Sequence, residues 1–217
     1  MADRTPSPRL RLVGGGTAGQ PKPRSFGSVA DLEDHQLVAL AREGDTSAFE
    51  LLYRRHAAFA MNLAVRIQGS AVDVEDVVHD GFLLAHKRLG DLRRDTAFRS
   101  WLGAIVVRLV RSRLRRGRLL ATFGLGGSAE PVDLDAIASP SAGPETRAQL
   151  AQIYALLRTM PADDGIAWTL RNVEHQKLEV VAELTGCSLA TAKRRIRRAQ
   201  DFLEGHFVSP LGEGAQA

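Results

Sequence analysis

A chain of 217 residues is long enough for one or two domains with real cores, and 44% hydrophobic with 25% charged residues is the composition of a soluble globular protein. The net charge of +4 and a pI near 9.7 lean towards a polyanionic partner without specifying one. One cysteine, Cys187, excludes an internal disulfide and a Cys-x-x-Cys metal site, and no run approaches the about 18 apolar residues of a membrane span, so a reducing compartment without membrane insertion is expected.

In chain order, residues 1–30 carry Pro6, Pro8, Pro21, Pro23 and the run Gly14-Gly15-Gly16, and read as a mobile, mildly basic tail without a signal-peptide core. A first folded unit is expected over 31–118. Asp45 caps a helix through AFELLYRRHAAFAMNLAVRI, in which Phe49, Leu52, Tyr53, His56 and Phe59 recur at helical spacing. Gly69-Ser70 breaks the chain, and Asp73 caps the stretch DVEDVVHDGFLLAH. There Val74, Val77, Val78, Gly81, Phe82, Ala85 and Leu89 form one inward stripe, while Asp76, His79, Asp80 and Leu83 point outward. A further helix starts near Phe98 and runs through WLGAIVVRLVRSRLRR. Residues 31–50 are acidic, with Arg42 the lone base, and residues 87–118 are basic, so this unit has an acidic and a basic end.

The stretch 119–145, which includes ATFGLGGSAEPVDLDAIASPSAGPE, reads as a flexible linker on its glycines and prolines. A second unit is expected over 146–208, followed by a short tail at 209–217. Within it KLEVVAELTGCSLATAKRRIRRAQDFL predicts a helix over 177–185, a tight turn at Gly186-Cys187, and a helix capped by Ser188. Ala192, Ile196, Ala199 and Leu203 share one face of that helix, and Thr191, Lys193, Arg194, Arg197 and Arg198 lie largely off it. Two short helices around a glycine turn, the second basic and capped, form the helix-turn-helix pattern. Its second helix fits the major groove, and its basic side chains neutralise phosphates. The plainer alternative is a solvated basic face on a structural helix. The fold class is therefore all-α: two small helical domains joined by a linker.

These residues together resemble the extracytoplasmic-function group of bacterial sigma-70-type sigma factors. LVALAREGDTSAFELLYRRH resembles that family's first helices, DVEDVVHDGF its DxEDxxQxxF stretch, and FRSWLGAIVVRLVRSRLRR its F-x-x-W-L-x-x-I helix. LLRTMPADDGIAWTLRNVEHQKLEVVAELTGCSLATAKRRIRRAQDFL is similar to its C-terminal helix-turn-helix. The resemblance covers about 31–117 and 147–204. It implies that Asp76, His79, Asp80 and Leu83 dock on core RNA polymerase. It further implies that Trp101–Arg116, with the preceding segment from Asp91 to Ser100, handles the −10 promoter element, and that Ser188–Leu203 reads the −35 element. Arg108, Arg111 and Arg115 form a stripe suited to phosphates, as do Lys193, Arg194, Arg197 and Arg198 in the last helix. Thr191 and Arg194 sit early enough in that helix to read bases. Phe98 and Trp101 are candidates to stack on bases, burial being the commoner fate of such rings. A bacterial, cytoplasmic, nucleoid-associated protein under anti-sigma control is implied. Family members usually carry Gln at His79, Asn at Arg108, Asp at Ser112, Arg at Gly165, and Glu-Ile-Ala at Val180-Val181-Ala182.

Two rival readings stand beside this one. A helix-turn-helix regulator acting without polymerase would bind duplex DNA alone. A helical metal phosphohydrolase would bring His56, His79, Asp80 and a distant Asp to one or two metals, but His56 lies on the apolar stripe of its helix and His79 opposite the core stripe of its own. No P-loop, dinucleotide-binding or nucleophile motif is present. No catalytic residue, metal or cofactor is expected.

Overall fold

The computed structural model of the chain describes residues 31–124 and 132–206; both expected tails, residues 125–131 of the expected linker and residues 207–208 of the expected second unit lie outside them. The described residues are helical with two 3-10 turns and no strand. Helix α1 (Asp34–Arg42) opens with a capping box, the Glu33 amide donating to Gln36 Oε1 at 2.8 Å. Helix α2 (Thr46–Gln68) is capped by Asp45, whose carboxylate accepts from the amides of Ser47 and Ala48 at 2.9 and 3.2 Å. It ends at Gly69 in the left-handed conformation, φ 73°. Helix α3 is Val74–Lys87, and helix α4 is the long Phe98–Thr122. All seven residues of the expected inward stripe of α3 are buried, Leu89 included.

Asp73 does precede α3, but its side chain makes no cap. The residue sits in the left-handed region, φ 53°, and its carboxylate pairs with Arg113 of α4 instead. Helix α4 runs to Thr122, past the expected start of the linker. The linker itself forms the short helix α5 (Leu134–Ile137), capped by Asp133.

The second unit holds α6 (Pro144–Thr159), α7 (Ala162–Asn172), α8 (Leu178–Thr185) and α9 (Leu189–His206). Gly186, at φ 63°, makes the turn between α8 and α9, and the Ser188 hydroxyl accepts from the Thr191 amide at 3.2 Å, the cap that the sequence predicts.

The two units pack on each other. One continuous core joins Leu102, Ile105 and Val106 of α4 to Ile166 and Leu170 of α7 and to Val181 and Leu184 of α8. Gly103 permits a close approach: a methyl group there would stand 3.1 Å from Leu184 Cδ2. A second cluster of Tyr154, Leu157, Met160, Trp168, Ala199 and Leu203 closes the second unit, and the Trp168 indole donates to Gln200 Oε1 at 2.7 Å. The C-terminal carbonyls of α2, which have no partner within the helix, receive donors from this unit and from the linker before it. Tyr154 Oη donates to the Arg66 carbonyl at 2.8 Å, and Arg158 and the Asp133 amide donate to the Gly69 carbonyl at 3.2 and 3.1 Å.

Candidate partner and nucleic-acid interfaces

Because α3 is an amphipathic helix with its valine and phenylalanine stripe in the core, its other face must meet solvent. Asp76, His79, Asp80 and Leu83 are all exposed, Leu83 at 46%. Asp76 and Asp80 lie one turn apart, and Glu75 and Asp76 stand in the first turn, where the helix dipole favours negative charge. Tyr53 of α2 extends the apolar part of this surface. The sequence placed Tyr53 with the inward residues, but it is 40% exposed, its ring 4.5 Å from that of Phe82. Phe82 already fills the space under it, so Tyr53 lies over the core instead of within it.

On α4 the stripe of arginines is divided. Arg108 is exposed, with no hydrogen bond or ion pair to a described residue. Arg111 donates from Nε and Nη to both oxygens of Asp163, each at 2.6 Å, and Arg115 reaches the same carboxylate at 3.1 Å. Arg195 of α9 completes the cluster at 2.7 Å. Burial alone would raise the Asp163 carboxyl. The Arg111 hydrogen bonds and the charges of Arg111, Arg195 and Arg115 outweigh it and hold the group below its ordinary range. Phe98 is buried beside His56, with ring centres 5.2 Å apart, so it is a core residue; Trp101 is half-buried, 6.2 Å from Phe98.

On α9 the apolar face packs as the spacing predicts: Ala192, Ala199 and Leu203 are buried and Ile196 is half-buried. Lys193, Arg194 and Arg197 are exposed. Thr191 is half-buried, its hydroxyl 2.9 Å from that of Ser188. Arg197 stands 3.8 Å from Asp201, an exposed pair worth little. Arg198 differs: it donates at 2.7 Å to Asp164, whose side chain is 5% exposed. Arg171, from the end of α7, joins Lys193 and Arg197 around a shallow groove lined also by Asn172, Leu178 and Gln200. Sequence spacing had not singled it out, because the base lies on a different helix. Cys187 sits in the turn, its sulfur 3.2 Å from the Thr185 hydroxyl.

The residues of the metal reading do not converge. His56 is 5% exposed and its Nε2 lies 2.6 Å from Asp34 Oδ2, whereas His79 and Asp80 are on the exposed face of α3. Asp34 is held low: burial would raise it, but hydrogen bonds from Arg55 and His56 outweigh that effect. No group of three or more potential ligands able to hold a metal occurs among the described residues. No helix among them is long and apolar enough to cross a membrane.

The family described as Sigma-70 region 2 matches residues 52–119, and that described as Sigma-70, region 4 matches residues 150–202. The RNA polymerase sigma-H factor of Pseudomonas aeruginosa is 31% identical over 179 residues, covering 79% of this chain and 92% of that protein. The ECF RNA polymerase sigma-E factor of Escherichia coli K12 is 31% identical over 186 residues, covering 83% and 96%. Among solved structures, CnrH in complex with the cytosolic domain of CnrY matches with a TM-score of 0.53 and 27% identity, over 79% of this chain and 95% of that one. The fold is also that of the sigma factor RpoE from Bartonella quintana, solved with the anti-sigma factor NepR, at a TM-score of 0.54 and 20% identity over 72% and 94%.

Proposed function

The chain belongs to the extracytoplasmic-function group of the sigma-70 family, and from that premise we propose that it binds core RNA polymerase through α3, directs it to promoters through α4 and α9, and is held in check by an anti-sigma factor. The observation that carries this reading is the separation of two outward faces of opposite character. Asp76, His79, Asp80 and Leu83 on α3 make an acidic, partly apolar surface, and Lys193, Arg194 and Arg197 on α9 make a basic one. The first suits a basic protein surface, and the second suits DNA phosphates and base edges in a major groove. One chain with both faces can join a polymerase to a promoter.

Promoter assignments follow the helices. The second helix of the helix-turn-helix reads the −35 element as duplex, with Thr191 and Arg194 towards base edges and Lys193 and Arg197 on phosphates. Helix α4 and the segment before it handle the −10 element, where separated strands need cationic backbone contacts. Arg108 is available for that contact as the chain stands. Arg111 and Arg115 become available once Asp163 releases them. The solved relative bound to the cytosolic domain of CnrY, and the fold neighbour bound to an anti-sigma factor, support a regulator of this kind. Its place of work is then the bacterial cytoplasm, with the nucleoid as its site of action.

The test is titration of the purified chain against core RNA polymerase. Saturable binding is expected, and the double change Asp76→Lys with Asp80→Lys abolishes it while leaving the helical content unchanged. Specific duplex binding by the free chain with no affinity for the polymerase would overturn the reading in favour of a regulator that works alone.

A further inference from the structure

Arg42 is the last residue of α1 and the lone base among the acids of 31–50, and its guanidinium is directed at a segment far along the chain. Its Nε donates to the Leu89 carbonyl at 3.1 Å, one Nη donates to the Leu92 carbonyl, and the other donates to the Asp95 carboxylate at 2.6 Å. These three acceptors are spread along the connection between α3 and α4. That connection consists of the two 3-10 turns, Leu89–Asp91 and Asp95–Ala97, and the residues joining them. Its own backbone bonds are few: Asp91 to Arg88, Leu92 to Leu89, and Ala97 to Arg94. Such a segment does not hold its shape by a hydrogen-bonded ladder; side chains must fix it.

Beside the exposed Arg88–Asp91 pair at 2.7 Å, two sets of contacts do so. Leu89 and Leu92 are sunk in the core at 4% and 5% exposure, and Arg42 ties together the backbone on the same side. Arg93, Arg94 and Thr96 are left facing solvent, and neither arginine has an ion-pair partner among the described residues. The geometry uses the planar fork of Arg, which serves two carbonyls and a carboxylate at once; a lysine ammonium is a point donor and does not span them.

We propose that Arg42 is a positioning residue for promoter opening: it fixes the 88–97 connection so that Arg93, Arg94 and the adjoining backbone meet the unpaired strand of the −10 element. The proposal rests on the promoter reading given above. An unpaired strand is flexible, and a surface that must first be ordered captures it weakly; a surface already in shape avoids that cost. Arg42 touches no DNA in this scheme. It acts through the segment it holds.

The experiment uses the full chain assembled with core polymerase. The probe is a promoter duplex selected by the wild-type holoenzyme from a random-sequence library, used intact and with its −10 bases mismatched. Arg42→Ala is expected to lower open-complex formation on the intact duplex and affinity for the mismatched probe by about tenfold or more. Affinity for core polymerase and for −35 duplex alone should stay within about twofold, since Asp76, His79, Asp80 and Leu83 of α3 and the outward bases of α9 lie outside the connection. Asp95→Asn, which removes the ion pair and keeps the carbonyl contacts, should give a smaller loss of the same kind. Arg42→Lys should fall between wild type and Arg42→Ala. Unaltered promoter opening in Arg42→Ala would overturn the proposal. So would a fall in polymerase affinity and thermal midpoint that matches the fall in promoter opening, because that is the signature of a merely structural arginine. A wild-type holoenzyme that selects no promoter would overturn the promoter reading itself, before any variant is compared.

Discussion

Arg111 of α4 donates two hydrogen bonds of 2.6 Å to the two oxygens of Asp163 in α7, and by that pair a basic residue of the first unit is fastened to an acid of the second. The Asp163 side chain is 14% exposed, and Arg115 and Arg195 also pair with it, so the carboxylate neutralises a cluster of bases from both units. Charge-assisted, forked hydrogen bonds of this kind are the strong ones. Asp163→Asn would keep the size of the side chain and remove its charge, leaving three arginines facing one another. The expected loss is about 1–3 kcal/mol of folding stability, with an increase in radius of gyration where the units separate. Small-angle scattering checks the second point. If Arg111 and Arg115 serve promoter phosphates, the same variant should bind DNA more tightly than the wild-type free chain.

The acid limb of stability follows from the same carboxylates. Asp163 and Asp34 are both held below the ordinary aspartate value, in each case because arginine or histidine partners outweigh burial. A lowered folded-state pKa contributes stability that is fully present above the unfolded value, about 3.9, and is lost as pH falls through the folded value. The thermal midpoint should therefore be flat through neutral pH on account of these groups and should drop below about pH 4. Asp163→Asn should show a shallower drop, since one of the two contributing carboxyls is gone. A midpoint that fell equally steeply in the variant would assign the acid sensitivity elsewhere.

Gly69 carries a constraint of a different kind. Its φ of 73° is a conformation that side chains disfavour, and a Cβ there would stand 2.7 Å from Cδ1 of Tyr154, which is itself buried. Gly69→Ala should cost roughly 1–2 kcal/mol from backbone conformation alone, and more where Tyr154 has to move and lose its bond to the Arg66 carbonyl. Urea denaturation measures the loss. A variant as stable as wild type would mean that Tyr154 yields freely.

Helix periodicity made the faces of α3 and α9 legible, because a residue's position on an amphipathic helix is fixed by its spacing from its neighbours. Ser188 and Asp45 were legible as caps for a similarly local reason. Asp73 was not, since the left-handed backbone that turns its carboxylate to Arg113 leaves no mark in the residue types around it. The packing of one unit on the other was equally hidden. Ala104, Leu109 and Val180 are half-buried apolar residues that would suit the core of either unit alone. Asp163 was not singled out either, since its partners Arg111, Arg115 and Arg195 lie on two other helices. Arg195, beside the apolar residue Ile196, was left out of the outward set of Arg194 and Arg197, but spacing alone did not give its partner, Asp163.

Arg197 and Arg198 illustrate that last difference in a form that can be measured. They are adjacent bases on α9, and charge alone makes them equivalent. Arg197 has a distant, exposed partner in Asp201, whereas Arg198 is bound to Asp164, a carboxylate almost wholly buried at the start of α7. Arg197→Ala should leave the thermal midpoint unchanged, weaken DNA binding across sequences, and reduce the salt dependence of binding by about one unit of slope. Arg198→Ala removes the partner of a buried carboxylate, so its first effect should be on the fold: a lower thermal midpoint. Thermal unfolding and a salt titration of DNA affinity, run on both variants, separate the two roles. Equal loss of DNA affinity at unchanged stability would return Arg198 to the phosphate-binding face.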